Sequence, residues 1–226
     1  MVKNKKQGAP SVGLYFRVGP AIELEMISKD LKHIFFTING SDYERNMHAI
    51  EISGSTDDDP EFIEKAQTIA KFAAANAIVP LYKGAPKVAK EIGAEGVLLT
   101  TLDDIGSARE LFGEKGIIGL HCGISNEDAA AAFDAEVDFV CFGLGAEKMP
   151  AADVLTFWTM LTELPAVVEG AITNDYCDYY VKAGAGFIDA THYVWGHEKG
   201  VMQGTVNMLH AIDIALQDGA KEKTKQ

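Results

Sequence analysis

The segment spanning residues 165–195 constrains the fold more than any other part of the sequence. It contains an apolar stretch, a glycine turn, a helical pattern, a second glycine turn and a second apolar stretch. Two parallel strands need a crossover element between them, and residues 173–183 supply a helix for it. Thr173 is predicted to cap this helix and Gly184 to end it. The segment therefore predicts one βαβ unit.

The same alternation of strand and helix patterns continues along the rest of the chain. The clearest helix start places Asp59 at the N-cap and Pro60 at the first helical position. This alternation predicts an α/β fold, a single (β/α)8 TIM barrel over residues 11–218, with disordered tails at 1–10 and 219–226. The strands are predicted at residues 11–18, 49–53, 77–81, 96–99, 116–121, 138–142, 166–169 and 187–191.

Three further patterns refine this prediction. Ser125 followed by Asp128 forms a capping box before the fifth helix. Residues 33–38 form an apolar run that is either a barrel strand or an additional strand. A doubly wound sheet is the alternative fold, but the first strand lacks the Gly-x-Gly-x-x-Gly turn that such a sheet would want. The last helix is predicted to bury side chains at three- and four-residue steps, namely Met202, Val206, Leu209, Ile212 and Leu216.

Composition narrows the range of partners and compartments. The 226 residues are 47% hydrophobic and carry a net charge of −13, which disfavours nucleic acid and anionic membranes as partners. No segment is apolar enough to span a membrane. Three widely spaced cysteines argue against a disulfide framework. The N-terminal lysines are not followed by an apolar region, so no signal peptide is expected and a cytoplasmic location is predicted.

Two turns are candidates for binding phosphate. Gly170 and Ala171 follow the predicted seventh strand, whereas Thr191 and His192 lie at the end of the eighth. In (β/α)8 barrels these two positions commonly bind phosphate through backbone N–H groups. The turns therefore predict a phosphorylated small-molecule ligand.

Several motifs in order resemble one family of barrels. They are the strand EIGAEGVLL at residues 91–99, KGIIGLHCGISNEDAAAAF followed by DFVCFG, and VVEGAI followed by KAGAGFIDATHYVW. The chain resembles the thiamine-phosphate synthase group, which includes thiazole tautomerases. The resemblance implies an enzyme that joins an aminopyrimidine pyrophosphate to a thiazole phosphate and releases pyrophosphate with the assistance of Mg²⁺. It also implies that a homodimer is possible.

The resemblance assigns roles to individual positions. Asp103 falls where the family has a metal-binding carboxylate, and Lys148 where it has a loop lysine. The family's Asn-Asp pair after the third strand reads Lys83-Gly84 here, and its basic clamp on the second strand begins at Glu51. The resemblance therefore implies a transferase with a degenerate pyrophosphate and metal site.

Candidate catalytic groups also follow from the residues themselves. His121 ends the fifth strand, where a neutral imidazole could move a proton. Thiazole tautomerases have a histidine at the position of Gly123, which lies on the same strand face as His121. Glu169 and Asp189 stand in apolar strand ends, where a carboxylate is either a general base or paired with a cation. A structural role for His121 remains open.

Three functions are therefore compatible with the sequence. The first is a thiamine-phosphate synthase-like transferase that uses His121, Lys148 and Glu169, with Mg²⁺ at Asp103. The second is a non-catalytic protein that binds a phosphorylated small molecule, because the clamp is missing. The third is a thiazole tautomerase-like isomerase in which His121 moves the proton.

Overall fold

Eight parallel strands form a closed barrel in the computed structural model, which describes residues 11–19, 24–42, 46–54, 59–143 and 151–223. Each strand pairs with its neighbour in the sequence, and the last pairs with the first. The predicted single (β/α)8 barrel is confirmed. The strands are β1 (Gly13–Val18), β2 (His48–Ser53), β3 (Ile78–Lys83), β4 (Gly96–Leu99), β5 (Ile117–Gly123), β6 (Phe139–Gly143), β7 (Ala166–Glu169) and β8 (Phe187–Asp189).

Helices alternate with these strands around the outside of the barrel. None of the helices in the described part of the chain has the length and apolar character needed to cross a membrane. The helices are α1 (Leu24–Asn39), α2 (Pro60–Ala75), α3 (Pro86–Glu91), α4 (Ile105–Phe112), α5 (Asn126–Asp134), α6 (Ala151–Leu161), α7 (Cys177–Ala183), α8 (Thr191–Trp195) and α9 (Val201–Lys223).

Two predicted helix starts are confirmed by their capping hydrogen bonds. The carboxylate of Asp59 accepts a hydrogen bond from the backbone N–H of Glu61 at 3.0 Å, with Pro60 as the first residue of α2. The hydroxyl of Ser125 accepts one from the backbone N–H of Asp128, also at 3.0 Å. Each cap satisfies a backbone donor that has no partner within its helix.

The apolar run at residues 33–38 is not a strand, and the prediction that it is one was wrong. These residues lie inside α1. Leu31, Ile34, Phe35 and Ile38 are buried, whereas Phe36 is 72% exposed. The burial thus repeats every three or four residues, as on one face of a helix, and not every second residue.

The start of α7 also differs from the prediction. The helix begins at Cys177, so Thr173 does not cap it through its side chain. Instead, the Thr173 carbonyl accepts hydrogen bonds from the backbone N–H groups of Tyr176 and Cys177 in a preceding turn. Gly184 ends the helix as predicted, because it adopts the left-handed conformation at φ +99°. The eighth strand is shorter than predicted, and Thr191 begins α8.

The C-terminal helix differs from the sequence prediction in length and in its buried face. Because α9 continues to Lys223, residues 219–223 are helical and not a disordered tail. Met202 and Val206 are 44% and 48% exposed, so their predicted burial was wrong, whereas Leu209 and Ile212 are buried as expected.

Alternate side chains of the strands point into the barrel. One set forms an apolar ring inside it, consisting of Tyr15, Ala49, Leu81, Leu98, Phe139, Cys141 and Val167. The opposite set packs against the helices in the larger core. Because side chains alternate along a strand, the residue two positions beyond each ring member points inward at the carboxyl end of the barrel.

Candidate active site

Charged side chains occupy the inward positions directly above the apolar ring. Arg17 follows Tyr15 by two residues, Glu51 follows Ala49, Lys83 follows Leu81 and Glu169 follows Val167. Active sites of this fold lie at this carboxyl end of the barrel. We call these side chains the mouth cluster, which consists of Arg17, Glu51, Lys83, His121, Glu169 and Asp189.

Glu169 is at the centre of the mouth cluster. One of its carboxylate oxygens lies 3.2 Å from Nε2 of His121 and 3.9 Å from Nη1 of Arg17. The other lies 3.5 Å from Nζ of Lys83. Burial raises the pKa of Glu169, but the hydrogen bond with His121 and the charges of Lys83, His121 and Arg17 outweigh burial and lower the pKa to about 2. Glu169 is therefore a permanent anion at neutral pH.

A glycine on the neighbouring strand makes room for the contact between His121 and Glu169. Gly143 is the partner of Glu169 in the register between β6 and β7. A Cβ atom at Gly143 would lie 3.2 Å from Nε2 of His121 and 3.9 Å from the Glu169 carboxylate. The imidazole and the carboxylate therefore occupy space that any other residue at this position would fill.

The side chain of Asp189 is fully buried. It forms one ion pair and accepts two hydrogen bonds from backbone N–H groups. Nη2 of Arg17 lies 2.6 Å from its Oδ2. The backbone N–H of Gly170 donates to Oδ2 at 3.1 Å, and that of Thr191 donates to Oδ1 at 3.0 Å. Two of the amides predicted to bind phosphate thus donate to an internal carboxylate, so a phosphate at this turn would compete with Asp189 for them.

The other residues of the predicted phosphate turn lie closer to solvent. Ala171 and His192 are both exposed, next to Gly170 and Thr191. The Thr191 hydroxyl is engaged, because it accepts a hydrogen bond from the backbone N–H of Arg17 at 2.7 Å. Phosphate binding by these four residues remains a prediction.

Glu51 is as deeply buried as Glu169 but has different partners. The Tyr15 hydroxyl donates a hydrogen bond to its carboxylate at 2.8 Å. Burial and the negative charge of Glu169 raise the pKa of Glu51 to about 7, although Lys83, the Tyr15 hydroxyl and Arg17 oppose the rise. Glu51 therefore exchanges a proton near neutral pH, inside the barrel.

The remaining predicted site residues lie away from these contacts or outside the described chain. Asp103 is exposed on a short 3₁₀ turn, Leu102–Asp104, directly after β4. The carboxylate of the adjacent Asp104 accepts a hydrogen bond from the Thr101 hydroxyl at 3.1 Å. Lys148 lies outside the described residues. The solvent-facing carboxylate of Asp103 fits Mg²⁺, which is commonly held by one or two carboxylates together with waters and substrate phosphates.

The sequence did not lead us to include Arg17 in the site, and we considered Lys83 only as the residue that replaces the asparagine of the family's Asn-Asp pair. A signal was present in both cases. Each is a cation in the last two residues of an apolar strand, and each shares the inward parity of a ring residue, Tyr15 for Arg17 and Leu81 for Lys83. Strand parity applied to every charged strand end would have placed both in the mouth cluster.

Comparison with known proteins identifies the relatives of this chain. A family model described as thiamine monophosphate synthase matches residues 43–192. A thiamine-phosphate synthase of Erythrobacter litoralis is 30% identical over 167 residues, which cover 68% of this chain and 78% of that protein. The chain belongs to the thiamine-phosphate synthase family. Another such synthase, from Hyphomonas neptunium, is 26% identical over 199 residues, which cover 84% of this chain and 85% of that protein.

Solved structures agree with the fold. A thiamine phosphate pyrophosphorylase from Pyrococcus furiosus superposes with a TM-score of 0.68 at 20% identity, covering 90% of this chain and 96% of that one. A 3-hexulose-6-phosphate synthase from Salmonella typhimurium gives 0.69 at 13% identity, covering 89% and 99%. Because these identities are low, the structures support the barrel alone. The sequence relatives support a thiamine-phosphate synthase-like function, that of a transferase of thiamine biosynthesis.

Proposed function

We propose that this chain joins a pyrimidine pyrophosphate to a thiazole phosphate, using a site that is degenerate in its pyrophosphate clamp and metal ligands. The observation that carries the proposal is the family match over residues 43–192, which includes every member of the mouth cluster except Arg17. In this reaction the bond between the pyrimidine methylene carbon and the pyrophosphate oxygen breaks. The thiazole nitrogen donates its electron pair to that carbon, and pyrophosphate leaves.

The mouth cluster favours one part of this reaction. Departure of pyrophosphate leaves positive charge on the pyrimidine and its methylene carbon. The ionised carboxylate of Glu169 lies at the barrel mouth, largely shielded from water, and a fixed negative charge there stabilises a cation that develops beside it. Glu169 therefore acts electrostatically in this proposal, with His121 holding the carboxylate in place.

The same cluster provides little positive charge for pyrophosphate. Arg17 and Lys83 are cations, but each lies within 4 Å of at least one carboxylate. Mg²⁺ would supply the missing positive charge to the pyrophosphate oxygens, and Asp103 would hold it, with Lys148 as an additional cation. We therefore expect slow turnover and a strong dependence on Mg²⁺.

The direct test supplies the purified chain with Mg²⁺, the pyrimidine pyrophosphate and the thiazole phosphate, and measures both thiamine phosphate and released pyrophosphate. Asp103→Asn should lower the rate at least tenfold at low Mg²⁺, because it removes the proposed ligand. Asp104→Asn is the matched control and should change the rate less than about twofold. Absence of thiamine phosphate above a blank without enzyme would refute the synthase proposal. Calorimetric binding of thiamine phosphate without turnover would then indicate a non-catalytic binder.

The contact between His121 and Glu169 favours a second candidate function. An imidazole that is partly exposed and held by a buried carboxylate at 3.2 Å is arranged as a general base with an orienting group. It could move a proton between two atoms of a phosphate-bearing thiazole, as in a thiazole tautomerase. This isomerase needs neither a metal nor a pyrophosphate clamp.

Solvent exchange separates the two candidates. An isomerase should transfer deuterium from D₂O into the thiazole phosphate in the absence of the pyrimidine substrate. His121→Asn should abolish this exchange, whereas His33→Asn, which changes an exposed histidine on α1, should not. If His121→Asn exchanges deuterium as fast as the unaltered protein, His121 is not the base.

A further inference from the structure

Three side chains of different types converge inside the barrel on neighbouring strands. A ring nitrogen of His121, Sγ of Cys141 and a carboxylate oxygen of Glu169 all lie within 4.8 Å of one another. They come from β5, β6 and β7, and His121 is the direct register partner of Cys141. The fold therefore places an imidazole, a thiol and a carboxylate around one point.

We propose that His121, Cys141 and Glu169 form a binding site for a borderline-soft divalent cation, with Zn²⁺ as the best match. Imidazole and thiolate are the ligands that this class of metal selects, whereas Mg²⁺ requires oxygen ligands. The site is distinct in residues and in metal class from the Mg²⁺ position at Asp103. It does not depend on the proposed function, because it is defined by metal binding.

The geometry needs only a small adjustment to hold the ion. Ligand atoms around a tetrahedral zinc lie about 3.5 Å apart. Nε2 of His121 and Oε2 of Glu169 already lie 3.2 Å apart, so a shift of about one ångström would complete the set. Three protein ligands leave a fourth position open, and the partial exposure of His121 places that position toward the barrel mouth.

The charges of the mouth cluster can accommodate a divalent ion. Arg17 and Lys83 are positive, which would by itself weaken binding. Asp189 and Glu169 oppose them, and the Cys141 thiol would bind a metal as its thiolate. The three negative groups then offset both cationic side chains and half of the charge of a divalent ion. Arg17 keeps Asp189 as its partner when the metal binds Glu169.

Cobalt provides the most specific test, because a thiolate ligand gives Co²⁺ a charge-transfer absorption in the near ultraviolet. The full chain, freed of metal with a chelator, should gain this band at one equivalent of Co²⁺ and lose it when Zn²⁺ is added. Cys141→Ser should abolish the band. Cys122→Ser is the matched control and should keep it, because Cys122 is also buried but belongs to the outer core between the barrel and its helices.

A second pair of variants distinguishes the loss of a metal ligand from misfolding of Cys141→Ser. His121→Asn, at a partly exposed position, should weaken Zn²⁺ binding at least tenfold in competition with a chromophoric chelator. Lys83→Met should have the opposite effect and tighten binding, because it removes a cation 3.5 Å from Glu169. A merely destabilised barrel would not bind zinc more tightly. The proposal is overturned if the cobalt band is absent, or if it persists unchanged in Cys141→Ser.

Discussion

Glu51 and Glu169 are two glutamates at the same barrel mouth with opposite protonation behaviour. Both are almost completely buried, at 2% and 5% exposure. Glu169 contacts His121, Lys83 and Arg17, and its pKa falls to about 2. Glu51 accepts one hydrogen bond, from the neutral hydroxyl of Tyr15, and its pKa rises to about 7 because burial and the charge of Glu169 favour the neutral form.

The difference shows that partners decide the ionisation of these carboxylates more than burial does. Desolvation raises the pKa of both groups, but only Glu169 has enough cationic and hydrogen-bonding partners to reverse its effect. One carboxylate is therefore a fixed negative charge, whereas the other can gain or lose a proton near neutral pH. The first suits electrostatic stabilisation and the second suits proton storage.

The largest expected effect comes from removing the cation that contacts both Asp189 and Glu169. Arg17→Met leaves the fully buried carboxylate of Asp189 without its ionic partner. We expect the free energy of unfolding to fall by about 3 kcal/mol, the lower end of the range for breaking a buried pair, because Arg17 is itself partly exposed and two backbone N–H groups still donate to Asp189. Urea unfolding at neutral pH measures this change.

Lys182→Met is the control for this prediction. It breaks an exposed helical pair with Asp178, so it should cost less than about 1 kcal/mol. Equal losses in the two variants would mean that the mouth cluster contributes no more to stability than a surface ion pair.

A pH series tests the raised pKa of Glu51. Because the folded protein holds this proton up to about pH 7 and the unfolded chain releases it near pH 4.5, Glu51 contributes stability at low pH that is lost as the pH rises through this window. Glu51→Gln cannot titrate and should not show this loss. Between pH 5 and pH 8, the free energy of unfolding of Glu51→Gln minus that of the unaltered protein should therefore increase by about 2–3 kcal/mol. A constant difference across this range would mean that the pKa of Glu51 is ordinary.

The smallest effect on stability is expected from a substitution that crowds the contact between His121 and Glu169. Gly143→Ala should change the unfolding free energy by about 1 kcal/mol or less. Its Cβ atom would lie 3.2 Å from Nε2 of His121 and displace the imidazole, so the pKa of Glu169 should rise from about 2. Carboxyl NMR titration measures this shift. Gly106→Ala, where an added Cβ meets nothing within 4 Å, should leave the pKa unchanged.

The barrel could be predicted from the sequence because its signals are local. Glycine turns, the caps at Asp59 and Ser125, and apolar strands of three to seven residues all depend on neighbouring residues. Dependence on local signals also explains why residues 33–38 were predicted as a strand, although they belong to helix α1. A short apolar stretch has no period of its own, and the exposure of Phe36 that identifies the helix is visible only in the folded chain.

The candidate site was predicted only in part because its contacts are long-range. His121, Glu169 and Asp189 were identified as polar residues in apolar strand ends. However, the pairing of Arg17 with Asp189 depends on closure of the barrel between β1 and β8. The use of Gly170 and Thr191 amides by Asp189 also depends on the folded loops, and no local pattern in the sequence indicates it.

The central claim is that Glu169, as a permanent anion, is the chemical centre of the site. The most direct measurement compares the rate of thiamine phosphate formation in Glu169→Gln and Glu51→Gln at pH 6, where Glu51 is mostly neutral and Gln resembles it. We predict that Glu169→Gln loses at least about 100-fold in rate and that Glu51→Gln loses much less. A Glu169→Gln variant that forms thiamine phosphate at the unaltered rate would contradict the claim.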